Sequence, residues 1–343
     1  MNLKAITCFS LLLVFILGCR TNAGLNNTKP NTYRVGFYNV ENLFDLEDNP
    51  EKADDDFTPD GKQKWTADRY HKKLSQMARV VEGMEYPTLL GLSEVENEAV
   101  MQDFCTKTSL KNYDYGTVHF ESPDFRGIDV GLIYRQKFFQ VFEVDFIRIN
   151  FPETVVEDYT TRDILWVKGA FHKKDTFHVF VNHWPSRRGG LQKSEPKRLY
   201  VAEQLNKKIT QILNSNANAN IIIMGDFNDE PTNKSIEKIL TTQSINGQDY
   251  EANLFNCFSE LDKQNQGTYN YRGNWNMLDQ IIVSKNLQNK HTKWQTKNAT
   301  IFAADWLFYE DKKYGKKPNR TYGGPRYYGG FSDHLPVFVD INK

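Results

Sequence analysis

Cysteine is scarce in this sequence, four among 343 residues, which excludes a disulfide-stapled scaffold. Net charge is missing as well. Lys plus Arg number 43 and Asp plus Glu number 43, so a protein held to nucleic acid by bulk positive charge is excluded, while a local basic groove is not. No apolar run reaches the roughly 20 residues that cross a bilayer. The longest, Leu11–Leu17, is far shorter, and a multi-span membrane protein is excluded. No repeat, linker or low-complexity stretch follows residue 31. No cluster of His and Cys at short spacing points to zinc, and no Ser or Cys sits in a nucleophile elbow. What remains is ordinary for a globular enzyme: 39% hydrophobic and 13% aromatic residues, enough for a large core and far from a disordered or collagen-like chain.

The first residues read as an address. Lys4 precedes the apolar run, the order of a signal peptide. The run ends Leu17-Gly18-Cys19, which resembles a bacterial lipobox. That resemblance implies a signal peptide over 1–18, cleavage before Cys19 and a lipid on its thiol. Arg20 stands where Asp commonly retains a lipoprotein at the inner membrane, so outer-membrane anchoring is favoured. Residues 19–31 are polar and aperiodic and read as a lipidated cysteine with a flexible tether. The membrane is then a partner only through this anchor. Cys105 and Cys257 are either a pair formed in an oxidising compartment or two buried thiols.

Residues 32–343 read as one domain of the α/β class. Strands are predicted at 33–39, 88–93, 129–135, 138–146, 161–171, 176–182, 220–224, 276–284 and 335–341, and helices at 65–84, 97–107 and 194–213. A turn at Lys173-Lys174-Asp175 makes a hairpin of two of these strands. Hairpins beside helical crossovers argue for mixed sheets with helices outside.

Apolar strands repeatedly deliver polar residues at their C-terminal ends: Asn39 and Glu41, Glu94, His183, Asp226 and Asn228. Carboxylates, amides and imidazoles gathered at one sheet edge suit a hard divalent cation such as Mg²⁺. Asn39-Val40-Glu41-Asn42, Ser93-Glu94-Val95, Asn182-His183-Trp184-Pro185-Ser186, Gly225-Asp226-Phe227-Asn228, Leu278-Asp279 and Ser332-Asp333-His334 occur in that order. This series resembles the endonuclease/exonuclease/phosphatase superfamily, of which deoxyribonuclease I is a member. The resemblance covers nearly all of 32–343 and implies a four-layer sandwich of two packed mixed β-sheets flanked by helices.

It also implies roles. Glu94 would hold Mg²⁺, which Mn²⁺ could replace, with Asn39 helping to hold the metal or the phosphate and Asp333 near the metal or at a second metal position. Asp226 would aim or deprotonate the attacking water, and Asn228 would donate to the phosphate. His334, oriented by Asp279, and His183, oriented by Asp129, would act on the scissile phosphate. Glu41 would support this set from behind. The histidines at 71, 119, 172, 178 and 291 match no motif and read as surface or packing residues.

The superfamily's substrates include DNA, RNA, inositol phosphates and sphingomyelin, and the fold does not choose among them. Arg187 and Arg188 follow His183 and suit flanking phosphates. The segment 314–331 interleaves basic and aromatic residues, and Arg326 and Tyr327 within it would contact a nucleic acid. Met224 and Asp229-Glu230-Pro231 around Gly225–Asn228 depart from the inositol-phosphatase pattern. A secreted or surface-anchored endonuclease acting on DNA or RNA is the leading expectation. A phosphodiesterase or phosphatase on phosphoinositide, sphingomyelin or small phosphoesters is the alternative, and an inactive binding lipoprotein is the remote one. No obligate protein partner is implied, and a monomer is expected.

Overall fold

The computed structural model describes residues 31–171, 175–246, 252–288 and 291–343. Cys19, the lipobox and the turn residues Lys173 and Lys174 lie outside them.

Six strands form the first sheet. They are β1 (Thr32–Leu43), β2 (Leu89–Val95), β3 (Tyr115–His119), β4 (Asp129–Arg135), and two from the C-terminal part of the chain, Gln295–Ile301 and Val337–Asn342. The second sheet holds β5 (Phe139–Ile147), β6 (Ile164–Phe171), β7 (Asp175–His183), β8 (Asn220–Asp226), β9 (Thr242–Ser244), β10 (Leu254–Asn256) and β11 (Asp279–Ser284). With Gln295–Ile301 as β12 and Val337–Asn342 as β13, the orders are β12-β13-β1-β2-β4-β3 and β5-β6-β7-β8-β11-β10-β9. Both sheets are mixed: β1–β2 and β7–β8 are parallel, while β1–β13, β6–β7 and β8–β11 are antiparallel.

The side-chain period of two places one face of each sheet inward and the other under helices. Val35 and Phe37 of β1 point inward against Val179, Val181, Ile222 and Met224 of the second sheet. Tyr38 and Val40 point the other way, onto Leu74, Met77 and Val81 of α1 (Ala67–Gly83) and Phe104 of α2 (Glu98–Thr106). Phe180, Ile221 and Ile223 meet Val201, Leu205 and Ile209 of α3 (Leu191–Ser215). Burying such side chains contributes roughly 1.5–3 kcal/mol apiece. The result is the four-layer order α1/α2, sheet, sheet, α3. The sheets approach closely at Gly91, where a Cβ would lie 2.6 Å from Met224 Sδ.

Cys105 and Cys257 are separate buried thiols, one under the helices and one between the sheets. Among the described residues, no helix is long and apolar enough to cross a membrane.

Candidate active site

Neighbouring strands set the centre of the site. In the ladder β7-β8-β11, His183 pairs with Asp226 and Asp226 with Asp279, so three functional groups stand side by side at one edge. The first sheet supplies Asn39 and Glu94 from β1 and β2 across the sandwich. His334 comes from the segment just before β13.

Asp279 is fully buried, and His334 Nδ1 donates to its Oδ2 at 2.7 Å. His334 Nε2 lies 3.8 Å from Asp226 Oδ2 and His183 Nε2 lies 3.7 Å from the same oxygen. Asp226 therefore stands between two imidazoles. The two rings differ in charge. Burial alone would lower the pKa of His334, but the carboxylates of Asp279 and Asp226 override it and hold the imidazolium well above the usual range. Burial, reinforced by Arg162 and Arg126, holds His183 well below it. Asp226 is pushed up to about 6 by burial, despite His334 and the hydrogen bonds it accepts from Asn228 and Asn39.

Asn39 stands between the acids of the two sheets. Its Oδ1 is taken by the Glu41 N–H at 3.0 Å, and its Nδ2 donates to Glu94 Oε1 at 3.3 Å and Asp226 Oδ2 at 3.1 Å. The amide tethers two carboxylates, and its oxygen already accepts one hydrogen bond from the backbone. Glu94 faces the cleft, 3.9 Å from His183 Nε2. Asp333 lines the same cleft with one oxygen on Arg320 Nη2 at 3.0 Å. Asn228 lines it too, with Nδ2 donating to the Trp184 carbonyl at 3.0 Å.

Asp129 is not the orienting partner of His183. Its Oδ1 accepts from the backbone and hydroxyl of Ser122, and its Oδ2 faces His119. The Nδ1 of His183 is buried without a hydrogen bond. Its backbone carbonyl is held instead, with that of Trp184, by buried Arg162 at 3.2 and 2.7 Å, and Arg162 pairs with Asp124 at 3.0 Å. No motif marks Arg162. Its one signal in the sequence is a lone cation at the start of an apolar strand.

Glu41 is buried and ties down the segment before His334. It accepts from Thr321 N at 2.6 Å and from Arg320 Nε at 3.2 Å. Burial and nearby Asp333 push its pKa up to about 7 against the pull of Lys73 and Arg320.

The cleft has a volume of about 690 Å³, and Arg126, Arg188, Tyr269 and Tyr271 line it. Arg187 lines it as well, but its guanidinium is occupied: Nε donates to the Asn228 carbonyl at 2.7 Å and Nη2 to Asn233 Oδ1 at 2.9 Å. It positions the Asn228 loop. The structure does not bring Arg326 and Tyr327 to the cleft. Tyr327 packs beneath Arg69 of α1 at 4.1 Å and beside Tyr322, and Arg326 lies over exposed Tyr328. The aromatic wall comes from a hairpin the sequence reading missed, Tyr269–Tyr271 against Asn274–Asn276. Tyr269 rests against the His334 ring, centroids 4.8 Å apart. The signal was present: Arg272 and Gly273 form a two-residue turn with φ of 54° and 91°, between alternating aromatic and polar residues.

Solved structures share the fold. Humanized D. rerio TDP2 matches with 14% identity and a TM-score of 0.55 over 91% of this chain and 99% of its own. The human nocturnin catalytic domain, solved with bound sulfate, matches with 18% identity and a TM-score of 0.54 over 91% and 94%. A Bacteroides thetaiotaomicron mannosyl-6-phosphatase matches with 15% identity and a TM-score of 0.55 over 91% and 100%. No curated protein matches the sequence. Residues 34–343 match the endonuclease/exonuclease/phosphatase family model, and the chain belongs to that family of divalent-metal-dependent phosphoester hydrolases.

Proposed function

We propose that this chain is an endonuclease that cuts DNA or RNA by in-line attack of water. The observation that carries the reading is the composition of one cleft. Asp226 between two imidazoles forms its floor, and Arg126, Arg188 and half-exposed Tyr271 form its approach. A substrate with several phosphates and flat bases would use all of these groups. A lone small phosphate would leave the approach idle.

The residues fit a divalent ion. Glu94 and Asp333 are the most exposed acids around the cleft, at 16% and 22%, against 2% for Asp226 on its floor and 0% for Asp279 behind it. Both offer oxygen alone, which favours Mg²⁺ or Mn²⁺. Bound there, the ion would neutralise phosphate charge and polarise the phosphorus–oxygen bond.

The chain's own residues supply the other parts. Cationic His334, fixed by Asp279, faces the phosphate and offsets its charge. Asp226, with its pKa about 6, is a better base than an ordinary Asp and takes the proton of the water it aims. Neutral His183 donates from Nε2 to a non-bridging oxygen. Asn228 has one N–H on Trp184 and a second for the substrate. The rigid strand ends hold these groups in register, which supplies the orientation term.

Export and anchoring through a lipid on Cys19 belong to the same proposal, supported by Leu11–Leu17 and Gly18-Cys19. A monomer tethered to the cell envelope would meet extracellular nucleic acid. Incorporation of labelled palmitate, abolished by Cys19→Ser, tests this part.

The activity test is supercoiled plasmid incubated with the chain from Arg20 onward and Mg²⁺, Mn²⁺ or EDTA, beside His334→Ala. Metal-dependent nicking that the variant lacks supports the reading. Hydrolysis of a sugar phosphate or phosphoinositide with plasmid untouched replaces it with the phosphatase reading.

A further inference from the structure

A second cluster of ligating side chains lies away from the acids described above. His119 ends β3 and Asp129 opens β4, the strand beside it. Glu121 lies in the loop between them. His119 Nε2 and Asp129 Oδ2 are 3.4 Å apart on side chains 3% and 2% exposed. Neither atom makes a hydrogen bond. The two atoms form only a long ion pair with each other, which compensates their burial poorly. The carboxylate of Asp129 is also held in place, because its other oxygen accepts from Ser122 N at 3.1 Å and from the Ser122 hydroxyl. A carboxylate oxygen of Glu121 completes a set of three donors within 4.8 Å of one another.

We infer that His119, Glu121 and Asp129 form a second divalent-metal site, suited to zinc and separate from the catalytic acids. One imidazole nitrogen and two carboxylate oxygens make a set that zinc accepts, with water in the fourth position. Zinc holds such donors at about 2.0–2.1 Å, so two donors of a tetrahedral site stand about 3.4 Å apart. That is the separation of His119 Nε2 from Asp129 Oδ2. An ion there satisfies both orphaned atoms at once, and exposed Glu121 closes the site from the solvent side. The nearby Lys52 ammonium is committed to the carbonyls of Ser122 and Asp124, at 2.9 and 3.0 Å.

The site has a consequence for the cleft. The loop it clamps, residues 120–128, carries Arg126 into the cleft lining. The same loop carries Asp124, the partner of Arg162, which holds the carbonyls of His183 and Trp184. The ion would fix the loop that supports one wall of the active site.

The test is Zn²⁺ binding by equilibrium dialysis, with Co²⁺ absorption in the visible range as a second readout. Glu94→Gln removes the central cleft acid. In that variant one Zn²⁺ per chain is expected to remain bound, with a tetrahedral Co²⁺ band. Adding Glu121→Gln, a change at an exposed residue that leaves the fold intact, is expected to weaken Zn²⁺ at least tenfold and to remove the band. His119→Gln should do the same. Zn²⁺ affinity unchanged by both additions overturns the inference, as does absence of stoichiometric Zn²⁺ in Glu94→Gln. Loss of nicking in Glu94→Gln with Zn²⁺ retained concerns only the active site.

Discussion

Replacing Asp279 by Asn tests the charge assignment of the active site. Asp279 is wholly buried and sits 2.7 Å from His334 Nδ1. The substitution keeps size and an acceptor oxygen and removes one charge. A hydrogen bond involving a charged group is worth about 1.5–3 kcal/mol. Two charges near 4 Å interact by roughly 4 kcal/mol at an effective dielectric of about 20. A loss of about 2–4 kcal/mol of transition-state stabilisation corresponds to a kcat roughly 30- to 1000-fold lower at about 1.4 kcal/mol per tenfold. The assay is steady-state hydrolysis of a chromogenic phosphodiester between pH 5 and 10.

The pH dependence carries the sign. His334 has its folded pKa raised above the unfolded value of 6.5. Its pairing therefore stabilises the fold fully below about 6.5 and ceases to do so as pH rises through the folded pKa. Denaturant melts should show wild type ahead of Asp279→Asn by the most at pH 6, with the gap closing in alkali. The descending limb of kcat should move to lower pH in the variant. A kcat within threefold of wild type, or a stability gap that widens with pH, would refute a cationic His334 held by Asp279.

Four further outcomes follow from the same geometry. Glu94→Gln should lower metal-dependent activity by about 10²–10³-fold, the range for loss of one electrostatic stabiliser of the transition state; Mg²⁺ titration by calorimetry checks that the cause is lost binding. Arg162→Met should destabilise the fold by about 2–3 kcal/mol, below the roughly 3–5 kcal/mol of a fully unpaired buried charge, since Asp124 loses its nearer cation and keeps Arg126 at 3.6 Å from its other oxygen, and urea melts read it. Burial pushes Glu96 up to about 8 from 4.5, so its charge costs stability as pH rises above 4.5; Glu96→Gln should gain about 1–3 kcal/mol at pH 8 and nothing at pH 4 in paired melts. Arg188→Ala should raise KM for plasmid about tenfold with a small diester unaffected, whereas Arg326→Ala should change neither.

The strands that carry the site were legible because they are central. Val35 to Asn39, Leu89 to Glu94 and Ile221 to Asp226 are buried on both faces and read as apolar runs ending in polar residues. The elements missed were edge or local pieces. β3 and β12 are the two margins of the first sheet; Tyr115-Gly116-Thr117-Val118-His119 and Gln295–Ile301 are half exposed and carry no apolar alternation strong enough to mark them. At these two margins burial imposes too weak a pattern to mark a strand, whereas β5, a margin of the second sheet, was legible at 138–146. The pairing of Asp279 with His334 was legible through motif order. The loss of Asp129 to His119 was not, because it depends on the pairing of β3 with β4. Arg326 and Tyr327 matched a nucleic-acid pattern in composition, but Glu41 and Lys73 anchor their segment against α1 and turn its tip away from the cleft.

The backbone around the site explains why Glu94 and Asn39 converge at all. In a regular strand pair, a residue following Ser93 would point to the opposite face from its neighbour. The ladders instead break here: Asn39 pairs with Ser93 and Leu43 with Val95, and Ser93 and Val95 straddle Val130 and Asp129. Glu94 is the extra residue of a bulge, a device that re-aims a side chain next to a site. Four residues here, Glu41, Asn42, Glu94 and Asn228, have φ of 53°, 54°, 62° and 49°. None is glycine, and such a conformation costs roughly 1–3 kcal/mol per residue. Three of their N–H groups donate into site side chains. Glu41 N reaches Asn39 Oδ1 at 3.0 Å, Asn42 N reaches Glu94 Oε2 at 3.0 Å, and Asn228 N reaches Asp226 Oδ1 at 2.9 Å. The two that reach carboxylates, from Asn42 and Asn228, each offset about 1.5–3 kcal/mol of that cost. The catalytic acids thus hold the strained turns that aim them, and bulge and site are one folding unit.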